Sequence, residues 1–232
     1  MSATGARTAA EYRGSPESRG RSPLAHLLHA LNQPLTGLQC SLELAVSGPR
    51  RPDQYVQTLR EGLDLTSRMR GLVEAIRELA DLQQRQPERA ELILLDQLLR
   101  ETAADLHPVA EAKQVRLQLE DRIAHPVRGD RQQLTALTFR LLESGLSLAG
   151  PGGTVQISGR NERRRAHIDI RWEPGPLPIH SPFSPAELGL LIARAGWERA
   201  GAEWVESRAE SMQGCGFRLP LAEPDSGFGD VK

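Results

Sequence analysis

The sequence predicts an α+β fold, in which an antiparallel helical hairpin forms a dimeric four-helix bundle and an α/β sandwich follows it. Three observations support this prediction. Residues 22–86 hold two long stretches of helical periodicity separated by a break rich in Gly and Pro. After residue 90 the pattern changes to short alternating strands with helices between them. Only 4% of the residues are aromatic, so the core must be built mainly from Leu, Val and Ala.

The chain divides into four predicted regions. Residues 1–21 are rich in Gly, Ser, Arg and Ala without periodicity, which is typical of a disordered tail. Residues 22–86 form the hairpin, residues 90–222 the α/β domain and residues 223–232 a C-terminal tail. Strands are predicted at ELILL, VRLQLE, TVQISGR and RAHIDIRW, and helices near residues 95–112, 131–148 and 185–200.

The composition argues against several classes of protein. A formal net charge of −1 and a pI near 6.6 disfavour a dedicated nucleic-acid binder. No apolar run approaches the ~20 residues of a membrane span, and the N-terminus lacks the apolar core of a signal peptide. Cys40 and Cys215 form no disulfide framework, so we expect reduced thiols and a cytoplasmic protein.

The first predicted helix carries a heptad seam. Its apolar residues recur at alternating spacings of four and three: Leu24, Leu28, Leu31, Leu35, Leu38, Leu42 and Ala45. The second helix has a similar row: Leu59, Leu63, Thr66, Met69, Val73, Ile76 and Ala80. Two helices alone cannot bury such seams well, so the pattern predicts a homodimer of two hairpins. The alternative is that the second domain covers the seam within one chain.

A polar cluster flanks this seam around Pro34. Asn32, Gln33 and Thr36 follow His29 by three, four and seven residues, which places all four side chains on one helix face. Pro34 lacks a backbone donor and clashes with the carbonyl four residues earlier, so it should loosen or kink the helix beside His29. An imidazole that faces solvent at this point is available as a nucleophile.

The stretch HALNQPLTGLQCSLELA resembles the H-box of sensor histidine kinases, in the branch that reads His-Glu-Leu-Asn-Gln-Pro-Leu. Two later blocks resemble the same family in the right order. VRGDRQQLTALTFRLLESGLSLAGPGGTVQISG is similar to its N-box helix and following strand, and ELGLLIARAGWERAGAEWVES with GCGFRLPLA to its last helix and closing strands. The resemblance covers residues 22–222 and implies a Bergerat-like (HATPase) sandwich for the second domain.

The resemblance implies that His29 is the phospho-acceptor. Its imidazole would take a phosphoryl group and exchange it with an aspartate on the receiver domain of a response regulator. Asn32 or Gln33 occupies the position where the family often keeps a polar residue that orients water for dephosphorylating the partner, and Thr36 belongs to the same matched motif. A partner histidine kinase is the second implied partner, and neither nucleic acid nor a membrane is expected.

The sequence departs from the family at positions that serve ATP. Ala30 replaces an acidic residue that acts as a general base. Arg140 and Ser144 replace two asparagines that help to hold Mg²⁺ and the triphosphate. Trp172, in WEPGP, replaces the adenine-binding Asp of an Asp-x-Gly-x-Gly box, while Gly189 survives from the last Gly-rich motif. Four prolines occupy the short segment that would form the lid: Pro176, Pro178, Pro182 and Pro185.

These departures predict that Mg-ATP binding is lost and that the protein uses neither a cofactor nor a metal. The combination resembles the histidine phosphotransferases of phosphorelays, in which the phosphoryl group arrives on an activated aspartate and catalysis is mainly positioning. Two alternatives remain. One is a pseudokinase scaffold that binds a kinase or a response regulator without carrying phosphate, and the other is a divergent but active sensor histidine kinase.

Overall fold

The computed structural model describes residues 23–84, 90–120, 126–175, 183–208 and 212–222. Both predicted tails, the linker at 85–89 and most of the proline-rich segment lie outside these residues. The elements in chain order are α1 (Pro23–Val46), α2 (Pro52–Gln84), β1 (Glu91–Leu94), α3 (Leu95–Ala112), β2 (Arg116–Leu119), β3 (Pro126–Gly129), α4 (Arg131–Ala149), β4 (Thr154–Glu162), β5 (Arg165–Trp172), α5 (Pro185–Arg199), β6 (Glu203–Arg208) and β7 (Gln213–Pro220). Within the described ranges, no helix is long and apolar enough to cross a membrane.

A helical hairpin followed by an α/β sheet domain agrees with the predicted fold class. The predicted helices and strands are present within a few residues of their expected bounds. Strand β3 was not predicted. It has four residues and pairs with β1 in a separate two-stranded sheet. Its extended conformation therefore depends on a partner distant in sequence, which local periodicity does not reveal.

Five strands form the main sheet, in the order β2-β4-β5-β7-β6. The β2–β4 pair is parallel and the other pairs are antiparallel. The main core lies between one face of this sheet and the helices, and it is mostly aliphatic, as the composition predicted. Trp197 of α5 stacks on Phe217 of β7 with ring centroids 3.9 Å apart, which joins the last helix to the main sheet.

Helices α4 and α5 both begin at polar caps. Asp130 Oδ1 accepts a hydrogen bond from the Gln133 backbone N–H at 3.0 Å at the start of α4. At the start of α5, Ser184 and Glu187 form a reciprocal capping box. These caps satisfy backbone donors that the first helical turns leave without partners, so both helices start at defined residues.

The predicted seam of α1 is split between two faces. Its members at 24, 31, 38 and 45 are buried or half-buried on the side of α2, whereas Leu28, Leu35 and Leu42 are 48, 52 and 45% exposed. In the row predicted for α2, Leu59 and Leu63 are exposed in the single chain. The buried positions of α2 are instead Leu72, Ala75 and Leu79. A single neighbouring helix covers only one side of α1. The remaining apolar residues of the 3.5-residue repeat therefore stay exposed.

Helix α5 connects the hairpin to the sheet domain. Leu188 and Ile192 pack with Leu27 and Ala30 of α1 and with the buried row of α2. Other α5 residues, including Trp197, belong to the main core. The second domain therefore covers the hairpin in part, but it leaves the 28-35-42 row of leucines exposed.

The outer face of the sheet carries a buried histidine. Ile168 and Ile170 of β5 point into the core, so His167 and Asp169 alternate to the other face. His167 is 3% exposed, and neither of its ring nitrogens has a hydrogen-bond partner among the residues that the structure describes. Its Nε2 lies 3.5 Å from Asp169 Oδ1. Burial lowers the pKa of His167, and the nearby Asp169 carboxylate opposes this effect only in part.

We predict a pH-dependent stability that originates at His167. Its pKa lies below the ordinary 6.5 in the folded protein, so the unfolded chain binds more protons as the pH falls. The free energy of unfolding should be highest above about pH 7 and should decrease as the pH falls through the ordinary histidine value. Urea titrations across this range should show a weaker pH dependence for His167→Gln. Equal pH dependences of the two proteins would contradict the prediction.

Candidate functional site

The nucleophile candidate His29 lies on the exposed surface of α1. Its neighbours Leu27 and Ala30 are 0 and 4% exposed, because they pack against α2 and α5. These buried contacts hold the backbone of this turn in place while the imidazole remains accessible. A partner can therefore approach the ring without rearranging the hairpin core.

Asn32, Gln33 and Thr36 are exposed on the same helix as His29. Thr36 Oγ1 donates a hydrogen bond to the Asn32 carbonyl at 2.9 Å. Pro34 lies in the same turn and is half-buried, yet α1 continues through it as one helix. The two amides lie about one turn from the imidazole and the hydroxyl about two turns from it. Such groups offer donors and acceptors that can bind water or phosphoryl oxygens.

Ala30 explains one departure from the kinase pattern. The side chain at this position packs in the apolar cluster that contains Leu188 and Ile192 of α5. A carboxylate there would be taken out of water into an aliphatic environment, which is costly without a paired cation. The position that follows His29 is therefore used for packing between the hairpin and α5.

Arg140 of α4 forms an ion pair with Glu78 of α2. Its Nη2 atom lies 2.9 and 2.8 Å from the two carboxylate oxygens of Glu78. Both side chains are about 40% exposed, so the pair contributes only ~0.2–1 kcal/mol. Truncation of a buried leucine such as Leu188 to alanine costs ~2–5 kcal/mol. Apolar packing therefore holds the two domains together, and the ion pair fixes their alignment.

Ser144 and Gly189 meet where α4 and α5 cross. Ser144 is 4% exposed, and a Cβ atom on Gly189 would overlap its hydroxyl oxygen. Gly196, two turns further along α5, approaches Leu137 of α4 in the same way. Two glycines seven residues apart thus allow α5 to lie directly on α4, which leaves no space above the Ser144 hydroxyl. Arg140, Ser144 and Gly189 come together in this contact.

Trp172 lies elsewhere, in the core of the sheet domain. It is 4% exposed, and its Cε3 lies 3.6 Å from the position of a Cβ on Gly145 of α4. Its indole nitrogen is buried and has no hydrogen-bond partner in the described part of the chain. Just beyond it, the Gly175 backbone N–H donates to the Leu148 carbonyl at 2.9 Å, which holds the end of the WEPGP segment against α4.

A cavity of about 700 Å³ opens on the sheet domain at the N-terminal half of α4. Glu91, Arg131 and Phe139 are among the residues that line it, whereas Arg140, Ser144 and Gly189 are not. The cavity therefore does not coincide with the contact between α4 and α5.

Sequence reasoning did not identify Glu78 or the contact surface of α5. Glu78 gives no local signal, since it is one carboxylate among many on a charged helix. Helix α5 does give one, because ELGLLIARAGW is apolar on nearly every side, and such a helix is usually buried on more than one face.

Comparison with known proteins finds similarity to histidine kinases. Residues 23–85 match the family model "His Kinase A (phospho-acceptor) domain". Sensor protein SphS of Synechococcus elongatus is 28% identical over 202 residues, which cover 86% of this chain and 46% of that protein. The chain thus spans about half the length of this curated relative.

Solved structures share the fold. Histidine kinase ThkA in complex with response regulator protein TrrA has a TM-score of 0.60 at 19% identity, over 85% of this chain and 60% of that chain. Acinetobacter baumannii histidine kinase AdeS has a TM-score of 0.52 at 18% identity, over 84% of this chain and 98% of that chain. Both likenesses include a helical hairpin followed by an α/β domain.

The contact between Ser144 and Gly189 leads to a prediction about stability. Gly189→Ala should lower the free energy of unfolding by about 1–3 kcal/mol, because the new methyl group meets the Ser144 hydroxyl. In a Ser144→Ala background the cost should largely disappear, since the Ser144 Cβ is 3.6 Å from the added atom. Urea unfolding of the four proteins in this double-mutant cycle measures the coupling. Additive effects would show that α5 does not lie on α4.

Proposed function

We propose that this chain, whose hairpin matches a phospho-acceptor domain, is a histidine phosphotransferase of two-component signalling. In this proposal, His29 exchanges a phosphoryl group with an aspartate on the receiver domain of a response regulator, and the chain hydrolyses no ATP. The observation that carries the proposal is the accessible His29 beside Asn32 and Gln33, on a hairpin that packs against α5.

The proposal treats the sheet domain as a Bergerat-like sandwich without a nucleotide site. The residues at the ATP-serving positions do not fit a magnesium-bound triphosphate. Arg140 is engaged with Glu78, the Ser144 hydroxyl lies beneath Gly189, and Trp172 fills core space with its indole. These contacts support loss of Mg-ATP binding, because a triphosphate needs both accessible ligands and room beside α4.

Phosphoryl transfer from an aspartyl phosphate to His29 requires the protein mainly to position the reacting groups. The imidazole nitrogen attacks phosphorus in line, the N–P bond forms as the P–O bond to the aspartate breaks, and the aspartate leaves as a carboxylate. The imidazole N–H proton passes to solvent or to that carboxylate. An acyl phosphate is already activated, so a missing acid at position 30 is tolerable. Asn32, Gln33 and Thr36 would orient the phosphoryl oxygens or a water molecule.

The partner class rests on two likenesses. The hairpin matches a phospho-acceptor domain, and the ThkA structure contains a response regulator protein. A receiver domain that docks on α1 beside His29 would find an exposed polar helix face. A partner histidine kinase is the second candidate, because a relay needs a source of phosphoryl groups.

A homodimer is part of the proposal. Leu28, Leu35 and Leu42 form an exposed row with heptad spacing on α1, and Leu59 and Leu63 extend the apolar surface on α2. Contiguous apolar surface of this kind marks an interface. A second hairpin would cover it and complete a four-helix bundle.

A non-catalytic pseudokinase scaffold is the second candidate function. The observation in its favour is the absence of a carboxylate directly after His29, where Ala30 is buried instead. A divergent active sensor kinase is a third possibility, and the packing of α5 on α4 counts against it.

Phosphotransfer through His29 is directly testable. When an acetyl-phosphate-charged response regulator is added, the wild-type protein should acquire an acid-labile phosphoryl label, and His29→Gln should not. His107→Gln is a matched control, because it makes the same substitution at an exposed histidine on α3. If the folded wild-type protein takes no label from a panel of phosphorylated response regulators, the result would favour the pseudokinase scaffold.

Calorimetry with Mg-ATP distinguishes a phosphotransferase that binds no ATP from an active sensor kinase. We expect no heat of binding from the wild-type protein, because the ATP-serving side chains are occupied by Glu78 and α5. Micromolar binding, or label acquired from ATP alone, would support the active sensor kinase instead.

Dimerisation should depend on the exposed leucine row. Leu35→Glu places a charge in the centre of the proposed seam and should convert the dimer to a monomer, while Glu43→Gln on the same helix should leave it dimeric. Light scattering after gel filtration measures the mass of each protein. If the wild-type protein is a monomer at micromolar concentration, the proposed dimer is wrong, although the described fold of the hairpin still holds.

A further inference from the structure

The backbone of α1 is weakened close to His29. Pro34 lies inside the helix and its nitrogen carries no hydrogen, so the Ala30 carbonyl receives no hydrogen bond from the residue four positions later. The Thr36 hydroxyl donates to the Asn32 carbonyl, a contact that often bends a helix. Backbone hydrogen bonds alone therefore hold this part of α1 less firmly than a regular helix.

Burial in α1 is concentrated at the same place. Of the α1 side chains that the structure describes, only Leu27, Ala30 and Ala45 are buried. Leu27 and Ala30 lie on either side of His29 in the chain and share one apolar cluster with α5, whereas Ala45 lies outside that cluster, near the end of α1. The sheet domain therefore packs on α1 where the helix lacks a backbone hydrogen bond.

Leu188 and Ile192 of α5 supply this packing, and they lie one helical turn apart. Leu188 Cδ1 is 3.8 Å from the position of a Cβ atom on Gly71 of α2, so the leucine fits where α2 has no side chain. Phe183, which precedes the N-terminal cap of α5, packs against the same cluster although its φ angle of 69° is in the left-handed region. Strain of this kind persists only where surrounding contacts hold the residue in place.

The buried contact between α5 and α1 is local. Further along α5, a cavity of about 190 Å³ lies between this helix and the hairpin, and Leu24, Leu79 and Ala195 are among the residues that line it. The same helix is joined to the sheet domain through the stack of Trp197 on Phe217. Helix α5 therefore links the position of the sheet domain to the turn that carries His29.

We propose that the sheet domain regulates His29 through α5, with Leu188 and Ile192 as positioning residues. The inference rests on the proposed phosphotransfer function and states how that site is controlled. While α5 packs on Leu27 and Ala30, the turn holds the imidazole in the orientation that transfer requires. When a partner shifts the sheet domain away from the hairpin, the turn loosens and transfer slows. The sheet domain thus contributes to phosphotransfer without binding a nucleotide.

Leu188→Ala tests this positioning in the full chain, and Leu106→Ala is the matched control. Leu106 is also buried, but it lies on α3 in the main core. With saturating amounts of an acetyl-phosphate-charged response regulator that labels the wild type, Leu188→Ala should acquire label about tenfold more slowly, because a misplaced reacting group loses rate. The half-saturating concentration of the regulator should not change. Leu106→Ala should keep wild-type kinetics, and the volume-conserving Leu188→Met should restore them.

Hydrogen exchange of backbone amides gives a second measurement that needs no response regulator. Amides of residues 27–33 should exchange about tenfold faster in Leu188→Ala than in the wild type or in Leu106→Ala, because the packing that holds this turn is removed. Ile192→Val is a milder change in the same cluster and should shift exchange and transfer in the same direction by a smaller factor. It replaces Leu188→Ala if that variant does not fold.

The two measurements distinguish this proposal from the phosphotransfer function itself. If the wild type is labelled and Leu188→Ala is labelled equally fast, or Leu106→Ala is slowed as much, regulation through α5 is wrong and phosphotransfer through His29 stands. If the wild type takes no label, the phosphotransfer function is wrong. Hydrogen exchange then decides the positioning alone, since unchanged exchange at residues 27–33 would overturn it and faster exchange would support it.

Discussion

The burial of α5 between the hairpin and α4 is the constraint on which the rest of the structure depends. Leu188 and Ile192 face the hairpin, while Gly189 and Gly196 allow the same helix to touch α4. Each contact uses a different side of one short helix, so none can change without affecting the others. Because α5 lies on Ser144, the space beside α4 is used for packing between elements of the chain.

This packing also shapes the surroundings of His29. Ala30 is small enough to pack against α5, whereas an acidic side chain at that place would carry a desolvation cost. The same interaction that favours a small apolar residue after His29 therefore anchors the turn that presents the imidazole. Glu78 and Arg140 add alignment between hairpin and sheet domain, although their exposed ion pair contributes less than the apolar contacts beside it.

Charge and apolar surface are distributed over separate parts of the molecule. The exposed leucines lie on the hairpin, and the arginines concentrate on the outer face of the sheet. Between those arginines His167 stays buried, because its cross-strand neighbours Arg160 and Arg218 flank it. Burial disfavours the protonated form of His167 and so lowers its pKa, and the positive charges of Arg160 and Arg218 disfavour that form further.

The sequence by itself determined the order of helices and strands, the shared face of His29, Asn32 and Gln33, and the positions that depart from the kinase pattern. Hydrophobic periodicity and residue spacing are local properties, so they can be read along the chain. Only the tertiary structure decided which leucines of the seam α2 covers, that Arg140 meets Glu78, and that Gly189 closes over Ser144. These contacts join residues far apart in sequence, and their partners depend on how α5 crosses two helices at once, which periodicity does not encode.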